Sequence, residues 1–331
     1  MRIALLGTGR MAQIRGAALS ALPEVKEVLV ASPDAERREG FAAAIGGSPC
    51  APASLAAREF DAVVVCTRTS EHREGIELAA TRRLPVFCEK PIALGLKETA
   101  AVLALCASQG IELQVGFHRR FDTEIARIQE LWQGGDLGVP YVARVAAHDR
   151  DLTPEHYIPT SGGIWRDLHV HDFDTLRFLS GEEVETVSAA AAVRLHERFS
   201  AHEDFDSAAV LLVTESGFPC VVTGTRHNPA GYDVRVEVVG SQMSVAAGVA
   251  PPAVLQDCGG EEWLGFAERF AGAFAAEIEA FVELVAGRGP NRCPAGAALE
   301  ALRVAIACEI SAREGRTVRL DEVPVAEEAV Q

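Results

Sequence analysis

Hydrophobic and polar positions change rhythm once along the chain, near residue 120. Before it, short and nearly unbroken apolar runs alternate with longer amphipathic stretches. A run bounded by turn residues reads as a strand buried on both faces, and a longer amphipathic stretch reads as a helix. The pattern predicts strands over residues 2–6, 25–31, 62–67, 85–89 and 112–115. A helix-like stretch is predicted after Ala12 through Leu22, and helices over 35–45, 71–80 and 96–110. From about Phe121 the strands lengthen, to 139–148, 184–193, 207–214, 219–227 and 234–240, with few helices between them. Such consecutive strands imply a largely antiparallel open sheet. The Gly and Pro stretch of residues 247–260 reads as a loop before the last helices, and the tail after Val323 as frayed.

Strict strand and helix alternation in the first half implies a parallel, doubly wound sheet, in which ligands sit beyond the carboxyl ends of the strands. Gly7, Thr8, Gly9, Arg10 and Met11, then Ser32, Thr67 to His72, and Glu89 to Pro91 all fall on that rim. Gly7 to Ala12 spell GxGxxA between a strand and a helix. The chemistry asks for a tight turn at Gly7, close approach of a pyrophosphate over Gly9, and a small residue at Ala12 where helix and strand touch. Gly7, Thr8, Gly9, Arg10, Met11, Ser32, Arg37, Thr67, His72, Glu89 and Lys90 are therefore the candidate cofactor residues. Where an acid normally meets the ribose of NAD the chain has Ser32, with Arg37 and Arg38 close by, so NADP is favoured over NAD; Asp34 is the alternative ribose partner.

The length of 331 residues suits two domains with a cleft between them, set here at 1–120 for a dinucleotide-binding Rossmann domain and 121–331 for substrate binding and oligomerisation. The fold class is thus α/β, with a C-terminal α+β domain. A formal charge of −16 disfavours nucleic acid and anionic lipid, which are bound through clustered Lys and Arg. No run of ~20 apolar residues speaks for a membrane span. The start lacks a signal-peptide pattern, and a cytoplasmic location is expected. Eight cysteines are scattered without a CxxC pair and read as reduced core residues; no metal site is expected.

Two further segments carry chemistry. Cys88, Glu89, Lys90, Pro91 and Ile92 end a strand with a carboxylate and a lysine. Asp167, His171 and Asp174 stand at i, i+4 and i+7, which on a helix puts them on one face. Acid near a helix start with a satisfied histidine is the plain structural explanation of that spacing.

With GTGRMA, FCEKPIAL, GFHRRFD from Gly116 to Asp122 and SGGIWRDLHVHDFDTLRFLSG from Ser161 to Gly181, the chain resembles the glucose-fructose oxidoreductase and inositol dehydrogenase (Gfo/Idh/MocA) family over nearly its whole length. GYDVRVEVVG and FAERFAGAFAAEIEAFV resemble its inositol 2-dehydrogenase branch. The resemblance implies Lys90, Asp167 and His171 as the catalytic set, and Arg120, His148, Asp174 and Tyr232 as lining the substrate pocket. It also implies a homodimer or homotetramer joined through the open sheet, and a polyol or sugar as substrate. Three positions depart from the pattern: Ser32 for Asp, Arg15 for His, and His169 for a small or hydroxyl residue.

Removing a hydroxyl proton as hydride leaves carbon needs a base and a stabiliser of developing alkoxide charge, roles that suit His171, supported by Asp167, and Lys90. A dehydrogenase of another sugar, such as an aldose or nucleotide sugar, is the rival with the same triad. A sensing protein without catalysis is the rival of a different class, and joint retention of Lys90, Asp167 and His171 speaks against it.

Overall fold

The structure is a computed structural model and describes residues 1–248 and 265–325. Most of the loop expected over 247–260 and the end of the tail lie outside these residues. By contacts the chain divides into two compact units, Met1–Phe121 with Gly272–Leu299, and Asp122–Ala271 with Glu300–Gln331. The units are not consecutive halves, because the segment Gly272–Leu299 returns to the first.

In the first unit β1 (Arg2–Leu6), β2 (Glu27–Ala31), β3 (Ser48–Cys50), β4 (Ala62–Val65), β5 (Val86–Cys88) and β6 (Leu113–Val115) form one sheet in the order β3-β2-β1-β4-β5-β6. Every pairing is parallel. This is the doubly wound order, reversing between β1 and β4. Val63, Val64 and Val65 of β4 are fully buried, as expected of a strand covered on both faces. β3 is a strand that the sequence pattern misses: Gly46, Gly47 and Pro49 read as turn chemistry, yet an edge position tolerates proline. The core gathers Ile3, Leu5, Val28, Val30, Val64 and Phe87 with Leu19, and with Ile278, Phe281 and Val282 of the returning helix Ala271–Val285. That apolar stripe is the reason the segment returns.

The second unit is built on β7 (Pro140–His148), β8 (Val184–Ala192), β9 (Ser207–Thr214), β10 (Pro219–Thr225), β11 (Asp233–Gly240), β12 (Ser244–Ala247) and β13 (Val318–Arg319), in the order β12-β11-β7-β10-β9-β8-β13. The sheet is antiparallel except where β7 and β10 run parallel. Period-two alternation buries Ala143, Val145, Ala147, Val210, Leu212, Cys220 and Val222 on one face. Helix Thr123–Gln133 packs against helix Val170–Ser180, which in turn contacts β7. Asp122 caps the former, accepting from the backbone N–H of Glu124 and Ile125, both at 3.1 Å.

Candidate functional site

The carboxyl ends of β1, β2, β4 and β5 bring the candidate cofactor residues of the first unit to one edge of its sheet. Gly7 has φ +109°, and a Cβ there would stand 2.4 Å from the Cys66 carbonyl oxygen. Only glycine satisfies both the left-handed conformation and the contact. Gly9, which begins helix Arg10–Ala21, has open space where a Cβ would stand. No side chain caps that helix and no acid occupies its first turn. Backbone N–H groups and the positive end of the helix dipole are thus left for an anion, so the turn fits a dinucleotide pyrophosphate.

Ser32 is buried at the end of β2, and Arg38 Nη1 donates to its carbonyl oxygen at 2.7 Å. Arg37 Nη2 reaches the Thr8 carbonyl oxygen at 3.4 Å, linking the glycine turn to this edge. Asp34 is engaged as the cap of helix Ala35–Ile45, accepting from the Arg37 N–H at 3.0 Å. His72 is 1% exposed, with Nδ1 at 2.9 Å from the Pro91 carbonyl oxygen and Nε2 at 3.3 Å from that of Thr67. Burial lowers its pKa despite these carbonyls, and a neutral ring, with one N–H, donates to one of the two at a time.

Lys90 is half-buried just past β5, and the Lys90–Pro91 peptide is cis. The preceding Glu89 is anchored from below by Arg15, whose Nε donates to Glu89 Oε1 at 2.8 Å and whose Nη2 lies 2.6 Å from Glu277 Oε2. Arg15 is fully buried, its guanidinium 4.8 Å from the ring centres of both Phe87 and Phe274. Burial alone would lower its pKa; Glu277 and Glu89 more than offset this and raise it. Arg120 lies in the turn His118–Phe121 that follows β6.

In the second unit the Asp167 to Asp174 segment departs from a simple helix. Trp165–His169 forms a π-helical turn, and helix Val170–Ser180 follows directly. Such turns recur at functional sites because they redirect side chains within a continuous helix. Asp167 accepts from the Tyr157 hydroxyl at 3.1 Å and from Arg226 Nη1 at 2.7 Å. His171 is half-buried, whereas Asp174 is 1% exposed. An acid–histidine pair outside the sequence candidates lies on the same segment: His169 Nδ1 stands 2.7 Å from Asp172 Oδ2, both fully buried. The His169 ring rests on the sheet at Gly224, where a Cβ would come within 2.4 Å of it. That glycine is what lets histidine replace the smaller residue expected at 169.

His148 ends β7, its Nδ1 2.9 Å from the Thr225 hydroxyl, and burial lowers its pKa. Tyr232 packs edge-on to Phe266 and Phe270, with ring centres 6.4 and 6.3 Å away. Arg226 and Tyr157 are missing from the candidates drawn from sequence, and Arg15 appears there only as a departure. A signal exists for the arginines. Arg226 continues the buried parity of Cys220, Val222 and Gly224, and Arg15 lies in the buried stripe of Ala12, Gly16 and Leu19. A charge on an apolar stripe marks a buried ion pair.

A parallel sheet in doubly wound order, with an uncapped helix behind a glycine turn, belongs to the class of dinucleotide-binding oxidoreductases. Residues 1–117 match an oxidoreductase family with an NAD-binding Rossmann fold, and residues 125–246 match the GFO/IDH/MocA C-terminal domain. The chain belongs to the GFO/IDH/MocA family. It is 34% identical to an inositol 2-dehydrogenase of Rhizobium meliloti, over 97% of this chain and 99% of that protein. It is 31% identical to a scyllo-inositol 2-dehydrogenase (NAD(+)) of Bacillus subtilis, over 97% and 96% respectively. The crystal structure of a myo-inositol dehydrogenase from Corynebacterium glutamicum superposes with a TM-score of 0.87 at 31% identity, covering 97% of this chain and 98% of that one.

Proposed function

We propose that this oxidoreductase oxidises a secondary hydroxyl of inositol or a closely related polyol or sugar, by hydride transfer to a nicotinamide cofactor. The observation that carries this reading is the full-length likeness to inositol dehydrogenases. The first unit is the cofactor-binding domain in this reading, and the second holds substrate and joins copies of the chain. When bound, the cofactor accepts the hydride from carbon. His171 takes the hydroxyl proton. Lys90 donates a hydrogen bond to the same oxygen as negative charge develops there, and Asp167 supplies a fixed charge behind the base. Arg120, His148, Asp174 and Tyr232 recognise the remaining hydroxyls, each unmatched group leaving a buried polar atom unpaired.

Gly7 to Met11, Ser32, Arg37, Thr67, His72, Glu89 and Lys90 hold the cofactor in this reading. The family is NAD-binding; the finer preference proposed here is for NADP. Supporting it are the neutral Ser32, the two guanidiniums of Arg37 and Arg38 beside it, and the engagement of Asp34 as a helix cap. A second copy of the chain is the proposed partner. The sheet face that pairs Val221 with Leu211 leaves them 37% and 44% exposed, an apolar surface suited to a homodimer or homotetramer. Among the described residues no helix is long and apolar enough to cross a membrane. Among the described residues seven cysteines are buried and free, which supports work in a reducing cytoplasm.

The test is initial-rate absorbance at 340 nm with myo-, scyllo- and chiro-inositol and several aldoses, each with NAD and NADP. Reduction with an inositol, abolished in Lys90→Met and His171→Ala, is expected. Signal with aldoses alone would move the substrate to another sugar. Ser32→Asp should turn the cofactor ratio towards NAD.

A further inference from the structure

Arg226 lies one residue beyond β10, is 1% exposed, and faces three aspartates. Nη1 donates to Asp167 Oδ2 at 2.7 Å and stands 3.9 Å from Asp149 Oδ2, while Nη2 stands 3.9 Å from Asp204 Oδ2. Burial would lower its pKa, but Asp167, Asp149 and Asp204 outweigh this and raise it, so the cation is permanent. Asp204 also accepts from the Ile164 backbone N–H at 2.8 Å. The guanidinium therefore ties the end of β10 to both the start of the motif segment, through Asp204, and to Asp167 within its π turn.

The second oxygen of Asp167, Oδ1, accepts from the Tyr157 hydroxyl at 3.1 Å. A carboxylate whose two oxygens both accept, one from a guanidinium, is held in its ionised form and in one rotamer. Such a group is a poor acceptor for a further proton. We infer that Arg226, helped by Tyr157, is a positioning residue for the oxidation: it fixes Asp167 as an anion four residues before His171, so that Asp167 acts by charge and orientation and never takes the proton itself. This rests on the roles proposed above for Asp167 and His171.

The experiment is a double-mutant cycle on the full chain, using the fastest substrate of the inositol and aldose panel. Arg226→Met should lower kcat by about 10- to 100-fold, with KM for the polyol and cofactor affinity, read by fluorescence quenching, within about threefold of wild type. Arg226→Lys should recover a substantial part of the rate. Because Arg226 works through Asp167, the Arg226→Met/Asp167→Asn double variant should be no slower than Asp167→Asn alone; a merely structural role gives multiplied losses. Should Arg226→Met fail to fold, Arg226→Lys and Tyr157→Phe complete the same cycle. Arg226→Met at wild-type kcat, or multiplied losses, beside a slow Asp167→Asn overturns this inference alone. Asp167→Asn at wild-type rate overturns the proposed role of Asp167 and the inference with it, and wild-type silence across the panel overturns both together with the substrate reading.

Discussion

Each unit of the molecule buries one arginine among carboxylates, and the two are built differently. Arg15 is sandwiched between Phe87 and Phe274 and bound to Glu89 and Glu277, whose side chains are 9% and 0% exposed. Among the described residues Arg226 has no aromatic sandwich, and it meets three aspartates of graded exposure, Asp204 at 6%, Asp167 at 15% and Asp149 at 30%. The first knot is dry. It joins the glycine-turn helix, the end of β5 and the returning helix, and its charges have no water to fall back on. The second borders solvent and holds Asp167, the side chain proposed above to support the base. Ion pairs of one residue type are thus sealed in one unit and open to solvent at one carboxylate in the other.

The sharpest way to break this contrast is Arg15→Met. It strands two buried carboxylates and should cost about 3–5 kcal/mol in chemical denaturation; a loss below 1 kcal/mol would mean that the knot is not sealed. Arg226→Met should cost less, about 2 kcal/mol, since Asp167 and Asp149 regain water. An equal loss at both sites would erase the distinction between them.

A titration reaches both units next, since burial lowers the pKa of His72 in the first and of His148 in the second. The pKa of His72 is lowered by burial in the fold, so the unfolded chain binds its proton first. Its stabilising contribution is complete above the unfolded value near ~6.5 and is lost as pH falls from there towards the depressed folded value, at a slope of up to about 1.4 kcal/mol per pH unit. Melting curves between pH 7.5 and 5.0 should show this slope, and His72→Asn should lessen it, leaving the part that belongs to His148. The smallest effect is expected from Asp149→Asn, which removes the most exposed partner of Arg226 and should move stability by no more than about 0.5 kcal/mol.

Much of the first sheet is legible in the sequence because its strands are apolar runs and its helices amphipathic, so local pattern and tertiary burial agree. Helix 35–45 is read to the residue, and 96–110 within one. β3 escapes because a three-residue edge strand containing Pro49 has no pattern of its own and exists only by pairing with β2. The π turn at Trp165–His169 escapes for a related reason: Asp167 and His171 have the spacing of an ordinary helix, and the redirected hydrogen bonds follow from packing on the sheet. Asp167, expected to support His171, has two partners that spacing cannot reveal, Tyr157 ten residues before it and Arg226 fifty-nine after it.

By itself the sequence determined the parallel and antiparallel halves, the glycine turn and the motif residues, since each is written in local periodicity or in backbone demands such as the positive φ of Gly7. Only the tertiary structure decided that Gly272–Leu299 returns to the first unit, that Glu277 meets Arg15, and that Gly224 makes room for His169. Those outcomes depend on which distant apolar stripe a helix covers and which buried charge finds its counter-ion. Long-range partner choice of this kind is set by burial and desolvation in the assembled fold, and neighbouring residues along the chain carry no record of it.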